Sequence, residues 1–212
     1  MGLNIYFLRH GETTFSRSGG FCGELDIELT DVGKEMAEAF AKAYRTFPWT
    51  AIYSSPKQRA VHTARPICEA VGMDMHIREG LKEIAYGKWE GLTPEEVSLS
   101  YHDDYIRYLA DPGWNGPTEG ERAVDIARRS VVVLNEIEQN HASGNVLVVS
   151  HKATIRIMLC ELLGIDIGRY RDRLVAPVAS LSRVEFGVHG PLLHLLGDRS
   201  HFPQHLRDLP GS

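Results

Sequence analysis

The sequence has little cysteine, and that scarcity excludes two kinds of site. Its 212 residues include three cysteines, Cys22, Cys68 and Cys160, which are scattered and show no Cys-x-x-Cys spacing. A disulfide framework and a cysteine-rich zinc centre are therefore not expected. His201 and His205 have the i,i+4 spacing of a metal-binding pair, but the proline between them, Pro203, disfavours the helix that such a pair needs. We expect no metal site.

Long apolar runs are also lacking. No stretch approaches the roughly 18 apolar residues that a membrane helix requires. The chain starts directly with the apolar segment 3–8, without the basic region and apolar stretch of a signal peptide. We therefore expect no membrane association and a cytoplasmic location.

The third deficit is positive charge. With 28 acidic against 23 basic residues, the formal net charge is −5. A nucleic-acid partner would call for a clustered basic excess, so none is expected. If the substrate is an anion, a few local arginines must attract it, because the field of the whole molecule does not.

Apolar segments of strand and helix type alternate along the chain. We predict strands at 3–8, 51–54, 74–77, 146–149, 178–186 and 192–196, the last two forming an antiparallel pair. Predicted helices follow Thr30 as N-cap, start at Pro56, and cover 94–97, 101–109, 123–139 and 153–163. Pro66 should kink or interrupt the second helix. This alternation predicts one α/β domain over 1–212, with a largely parallel sheet between two helical layers.

Polar residues at the ends of two predicted strands indicate a site, because ligands of such sheets bind at the carboxyl ends of strands. Arg9-His10 ends the first strand and Ser150-His151 the fourth. Arginine suits phosphate oxygens, and a neutral imidazole is a competent nucleophile toward phosphorus. Arg59 lies one turn into a helix, where an anion is favoured. Each residue alone has a structural or surface interpretation.

Glu83 completes this group. In an arginine-lined phosphate pocket it could donate a proton to the leaving oxygen and then accept one from water. His151 could hold a phosphoryl oxygen as an imidazolium. A solvated surface glutamate and a core histidine are the alternatives.

Five blocks of residues along most of the chain share one pattern. They are Leu8-Arg9-His10-Gly11-Glu12-Thr13, the set Gly23, Asp26, Leu29, Thr30 and Gly33, Ser55 with Arg59-Ala60 and Thr63-Ala64, Glu83 with Tyr86-Gly87 and Trp89-Glu90-Gly91, and Val149-Ser150-His151. In these residues and in their order, the chain resembles the histidine phosphatase superfamily, also called the phosphoglycerate-mutase-like family.

The resemblance implies a three-layer α/β/α sandwich that needs no metal and no cofactor. It implies that His10 is the phosphorylated nucleophile, that Arg9, Arg59 and His151 cradle the phosphoryl oxygens, and that Glu83 is the acid and base. Residues 89–121 would form a small insertion that caps the substrate. Candidate substrate-binding residues around this centre are Ser16, Cys22, Gly23, Tyr86 and Lys152.

Two residues depart from the family pattern. Many members carry glycine where this chain has Lys152, and asparagine where it has Ser16. Lys152 either adds positive charge to the pocket or points to solvent from the first helical turn. Ser16 can still bond phosphate through its hydroxyl, with fewer donors.

The expected activity is hydrolysis of a small phosphate monoester, with phosphoserine as the leading substrate. The alternative is a phosphoglycerate mutase, which must exclude water from the phosphohistidine. The stretch from Gly91 to Glu121 and the tail from His201 to Ser212 are short for a mutase. A non-catalytic phosphate-binding protein is a third interpretation, disfavoured because every expected catalytic residue is present. Dimerisation through an edge strand stays open.

Overall fold

The computed structural model describes residues 2–209. Met1 and residues 210–212, which belong to the predicted domain and its C-terminal tail, lie outside this range. Among the described residues, no helix has both the length and the apolar character needed to cross a bilayer.

Six strands form a single mixed sheet in the described chain. They are β1 (Leu3–Arg9), β2 (Trp49–Ser54), β3 (Met75–Ile77), β4 (Gly144–Ser150), β5 (Leu181–Gly187) and β6 (Gly190–Asp198). Their order is β3-β2-β4-β1-β5-β6. The first four are mutually parallel, whereas β5 runs antiparallel to β1 and β6 antiparallel to β5. The predicted, mostly parallel sheet is confirmed.

The helices lie between and after these strands. They are α1 (Thr14–Ser18), α2 (Asp31–Tyr44), α3 (Gln58–Val71), α4 (Pro94–Ser100), α5 (His102–Ala110), α6 (Ala123–Asn140), α7 (Lys152–Leu163), α8 (Tyr170–Arg173) and α9 (Gln204–Arg207). Short 3₁₀ turns occur at Glu79–Leu81, Gly87–Trp89 and Ile167–Arg169. Thr30 caps α2 by accepting a hydrogen bond from the Gly33 N–H, as predicted.

Alternate residues of each strand point to opposite sides of the sheet, so each strand presents side chains to both faces. Helices cover both of these faces. On one face Ile5 and Phe7 of β1 pack with residues of α6 and α7. On the other, Tyr6 and Leu8 pack with residues of α2 and α3. The predicted α/β/α sandwich is confirmed.

The structure differs from the sequence expectation at two places. Helix α3 continues through Pro66, so the interruption expected there as one of two outcomes does not occur. Proline removes one helical hydrogen bond, and burial of Ala60, Ala64 and Ile67 against the sheet offsets that loss. Strand β5 begins at Leu181 and not at 178, because Ser180 N–H closes a turn on the Pro177 carbonyl.

A small aromatic cluster, separate from the two main cores, packs α4 and α5 together. Trp89, Val97 and Tyr108 are its buried members, and Phe21 and Tyr86 pack against them. The Trp89 ring meets the Tyr108 ring edge-on with centroids 5.2 Å apart. This cluster ties the chain between β3 and α6 to the loop after α1.

Candidate active site

The ends of β1, β2 and β4 bring the predicted chemical residues to one edge of the sheet. Arg9 pairs in register with Ser150, and the His10 N–H donates to the Ser150 carbonyl at 3.0 Å. The Ser55 N–H, one residue past β2, donates to the Val149 carbonyl at 3.0 Å. As a result the rings of His10 and His151 lie 5.2 Å apart, centroid to centroid.

His10 is held as a neutral imidazole with a defined tautomer. Its Nδ1 lies 2.8 Å from the Gly11 carbonyl oxygen, which can only accept, so Nδ1 carries the proton. Nε2 therefore keeps its lone pair. Burial and the charges of Arg59 and Arg9 lower the pKa of His10 well below its usual value. The residue is 6% exposed and lines a cavity, so Nε2 has the protonation state of a nucleophile.

Arg59 enters this centre from the first turn of α3 and is 1% exposed. Its Nη1 donates to the Leu25 carbonyl at 2.8 Å and its Nη2 to the Gly23 carbonyl at 3.0 Å. Its Nε donates to His151 Nδ1 at 3.2 Å. The loop before α2 thus fixes the guanidinium beside the two histidines.

The contacts of His151 in this structure favour a neutral imidazole, whereas the sequence analysis suggested an imidazolium. Arg59 can only donate, so His151 Nδ1 accepts, and the remaining ring proton sits on Nε2, 2.8 Å from Ser55 Oγ. Burial, then the positive charge of Arg59, lower the pKa of His151 well below its usual value. The side chain is 0% exposed, so in this structure it orients Arg59 instead of lining the cavity.

Glu83 lies at the N-terminus of α7. Its Oε2 accepts from the Ala153 N–H at 3.1 Å, and its Oε1 accepts from the Thr154 N–H and hydroxyl, each at 3.2 Å. The Ile84 N–H adds a fourth donor at 3.0 Å. Donors of this kind fix a carboxylate and use the positive end of a helix. Glu83 also lines the cavity that His10 lines.

Arg9 supplies a second guanidinium to the cavity wall. Its Nη1 donates to the Ala176 carbonyl at 2.8 Å, which fixes its direction. Burial lowers the pKa of Arg9 to about 10, opposed by the nearby carboxylate of Glu83. Arg9 is therefore charged at neutral pH, and His10, Arg9, Arg59 and Glu83 surround one cavity of about 410 Å³.

Four of the five predicted substrate-binding residues line this cavity: Ser16, Cys22, Tyr86 and Lys152. Lys152 follows the first of its two sequence interpretations, because it contributes to the wall. Burial and the charge of Arg9 lower its pKa to about 8. The Ser16 hydroxyl is engaged in the cap of α1, since it donates to the Thr13 carbonyl and accepts from the Thr13 N–H. Burial raises the pKa of the Cys22 thiol to about 11.

Gly23 is not at the cavity wall, contrary to expectation. Its N–H donates to the Glu90 carboxylate at 3.0 Å and its carbonyl accepts from Arg59. A Cβ at this position would lie 1.8 Å from the Ile84 carbonyl oxygen. Glycine is needed there for close packing of two chain segments, and the residue positions Arg59.

Three further residues orient the site, and sequence reasoning gave them no role. Ser55 accepts from His151, and the Thr63 hydroxyl accepts from the Gly11 N–H at 2.9 Å. Glu90 accepts from the N–H groups of residues 23, 24, 25 and 86. All three belong to the sequence blocks that match the family, and this match was the feature of the sequence that could have identified them.

The two histidines considered as metal ligands, His201 and His205, make other contacts. His201 packs its ring edge-on against Phe40, with centroids 5.4 Å apart, and His205 pairs with Glu35 at 2.6 Å. Helix α9 begins only after Pro203, so His201 and His205 do not lie on one helix. Within residues 2–209, no cluster of three or more histidine, cysteine or acidic side chains is arranged to hold a metal ion.

Comparisons with known proteins agree on one family. The model of the histidine phosphatase superfamily (branch 1) matches residues 5–199. Phosphoserine phosphatase 1 of Hydrogenobacter thermophilus is 32% identical over 168 residues, which cover 79% of this chain and 80% of that protein. The probable phosphoglycerate mutase GpmB of Yersinia pestis is 30% identical over 211 residues, 94% of each chain.

A solved structure agrees with these matches. The phosphoserine phosphatase of Entamoeba histolytica, crystallised with 3-phosphoglyceric acid, superposes with a TM-score of 0.83 at 29% identity. The superposition covers 94% of this chain and 98% of that one.

Proposed function

The chain belongs to the histidine phosphatase superfamily and is a phosphoric monoester hydrolase, and we propose that it works without a metal, through a phosphohistidine on His10. The observation that carries this proposal is the tautomer of His10. Its Nδ1–H is held by the Gly11 carbonyl, which leaves the Nε2 lone pair for attack on phosphorus.

In the first step, Nε2 of His10 forms a bond to phosphorus as the bond from phosphorus to the ester oxygen breaks. Arg9 and Arg59 line the cavity and neutralise charge on the phosphoryl oxygens, which is the main requirement of phosphoryl transfer. Glu83 enters this step in its protonated form and gives that proton to the leaving oxygen, so the product is an alcohol. The carboxylate that is left is the form held by the Ala153 and Thr154 N–H groups.

In the second step, water attacks phospho-His10 opposite the nitrogen. The Glu83 carboxylate takes the water proton as the oxygen–phosphorus bond forms and the nitrogen–phosphorus bond breaks. Inorganic phosphate leaves, and His10 returns to its neutral tautomer. His151 contributes by holding Arg59 through Nδ1.

The substrate is a small phosphorylated metabolite, and phosphoserine is the first candidate. Two relatives are phosphoserine phosphatases, one of them crystallised with 3-phosphoglyceric acid. Residues 89–121 are proposed as the substrate cap, since Pro94, Tyr105 and Tyr108 from this segment line the cavity.

Mutase activity is the second candidate, because the similarity to a probable phosphoglycerate mutase extends over 94% of both chains. The two activities share the phosphohistidine and differ in whether water reaches it. A single assay separates them, by measuring released phosphate and isomerised phosphoglycerate in the same sample.

The test is phosphate release from p-nitrophenyl phosphate and from a metabolite panel in EDTA. Wild-type enzyme should turn over and should acquire an acid-labile phosphoryl label from substrate. His10→Ala should lose both by at least about 10³-fold, and His189→Ala, at an exposed turn residue, should lose neither. Activity that disappears in EDTA, or that persists in His10→Ala, would contradict the proposal.

A further inference from the structure

Three basic side chains line the cavity in addition to the two guanidiniums at the phosphoryl centre. They are Lys152 and Arg156 of α7 and Arg171 of α8. Within residues 2–209, none of the three has a carboxylate oxygen within 4.0 Å. These three cations without an ion pair therefore lie together at the cavity wall.

The two arginines are fixed by contacts that leave their charge uncompensated. Arg156 donates from Nε to the Leu174 carbonyl at 2.6 Å and from Nη2 to the Arg171 carbonyl at 2.8 Å. The Arg171 guanidinium lies over the Tyr108 ring, 4.7 Å from its centroid. Carbonyl and ring contacts orient a guanidinium without neutralising it. Both side chains are half-buried.

Lys152 stands at the first residue of α7, next to His151. Within the described chain its Nζ has no hydrogen-bond or ion-pair partner, and the side chain is half-buried. Burial and the neighbouring charges of Arg9 and Arg156 oppose its protonation, in that order. Holding a lysine there is unfavourable unless an anion binds close to it.

The charges at the cavity wall exceed what a simple phosphate ester needs. Five cations and two carboxylates, Glu83 and Asp172, line it. A phosphate monoester brings about two negative charges at neutral pH. One more negative group on the substrate would balance the wall, and the positions of Lys152, Arg156 and Arg171 outside the phosphoryl centre indicate where it binds.

We propose that Lys152, Arg156 and Arg171 form a second anion subsite, which binds a carboxylate or second phosphate of the substrate while Arg9 and Arg59 hold the phosphoryl group that is transferred. This inference rests on the proposed phosphatase function. It defines the substrate class as phosphate monoesters that carry a further anionic group, and it makes Lys152 a specificity-determining residue.

The test compares substrates that differ in the second anion. The carboxylate pair is 3-phosphoglycerate and glycerol 3-phosphate, and the phosphate pair is fructose 1,6-bisphosphate and fructose 6-phosphate. In one of the pairs, wild-type kcat/KM for phosphate release should be about tenfold higher for the substrate that carries the second anionic group. The pair that shows the preference identifies the second anion as carboxylate or phosphate.

Two variants assign the preference to the subsite. Lys152→Gln and Arg171→Gln should each lower this kcat/KM ratio about tenfold, chiefly through KM. Lys152→Arg should restore most of the ratio, because the charge is retained. The matched controls are Lys42→Gln on α2 and Arg173→Gln on α8, both exposed and away from the cavity wall, and they should leave the ratio unchanged.

Two outcomes would overturn the inference. One is a wild-type ratio near one in both pairs. The other is an equal fall of both members of a pair in Lys152→Gln, which would place Lys152 at the phosphoryl group. If either outcome is found, turnover of p-nitrophenyl phosphate by the wild type shows which hypothesis has failed. When this turnover is present, only the second anion subsite is refuted. When it is absent, the proposed phosphatase function is refuted as well.

Discussion

Replacing Glu90 by glutamine should damage both the stability and the activity of the protein, although the side chain keeps its size. The Glu90 Oε1 accepts from the N–H groups of Gly23 at 3.1 Å, Glu24 at 2.8 Å and Tyr86 at 2.9 Å. Its Oε2 accepts from Gly23 at 3.0 Å and Leu25 at 3.4 Å. Glutamine puts an NH₂ group where one of these oxygens faces N–H donors.

The magnitude follows from the number of contacts that are lost. A hydrogen bond to a charged group contributes about 1.5–3 kcal/mol, and a buried donor left without an acceptor costs about 1–3 kcal/mol. If the substituted side chain keeps the Oε1 contacts, the loss is confined to the Oε2 side. We expect the free energy of unfolding to fall by about 2–3 kcal/mol, which lowers Tm by about 4–12 °C in a chain of this length.

Activity should fall with stability, because the same loop holds Arg59. The carbonyls of Gly23 and Leu25 accept from that guanidinium, so a looser loop leaves it less well oriented toward the phosphoryl oxygens. KM for p-nitrophenyl phosphate should therefore rise. Urea unfolding with an unchanged m-value measures the change in stability.

The control for this substitution is Glu138→Gln, at an exposed residue of α6 that makes no hydrogen bond or ion pair within the described chain. It should change the free energy of unfolding by less than about 0.5 kcal/mol. If Glu90→Gln matches the control in both stability and KM, the carboxylate does not organise the loop, and the reasoning above is refuted.

Three further predictions concern the site. Gly23→Ala should lower the free energy of unfolding by about 1–3 kcal/mol, because the new Cβ would lie 1.8 Å from the Ile84 carbonyl oxygen. Thermal unfolding compares this variant with Gly187→Ala, where the atom nearest to the new Cβ is 3.9 Å away. Equal Tm values for the two variants would contradict the prediction. Glu83→Gln should lower kcat more for alkyl phosphates than for p-nitrophenyl phosphate, whose leaving group needs little protonation, and equal losses would count against the acid role. Lys152 is charged below its pKa of about 8, so kcat/KM for 3-phosphoglycerate should decline as the pH rises through 8, and Lys152→Arg should remove that decline. The charged groups that face Lys152 are Arg9, Glu83, Arg156 and Arg171. Superimposable pH profiles of the two enzymes would show that Lys152 does not titrate against the substrate.

Most of the fold was predictable because its signals are local. The apolar runs 3–8 and 146–149 are properties of a few neighbouring residues, and they predicted strands that the structure confirms. Thr30 marked the start of a helix through its own side-chain chemistry. Pro66 shows the limit, because packing of α3 against the sheet decided whether that helix continued.

The sequence by itself determined which chemical groups are present and that strand ends deliver Arg9-His10 and Ser150-His151 to one edge of a parallel sheet. Their protonation states were decided only by the tertiary structure. Arg59 and His151 are 92 residues apart. Burial, and then the charge of Arg59, lower the pKa of His151, whereas the sequence suggested an imidazolium.

The direction of Lys152 was undecided in the sequence for the same reason. Whether a first-turn side chain faces solvent or a cavity depends on the segments that pack around α7, here the ends of β1 and α8. Spacing along the chain carries no information about such distant neighbours, and the electrostatic environment of a buried charge depends on all of them. The candidate catalytic groups were therefore predictable from the sequence, whereas their charges and the proposed second anion subsite depend on the packed structure.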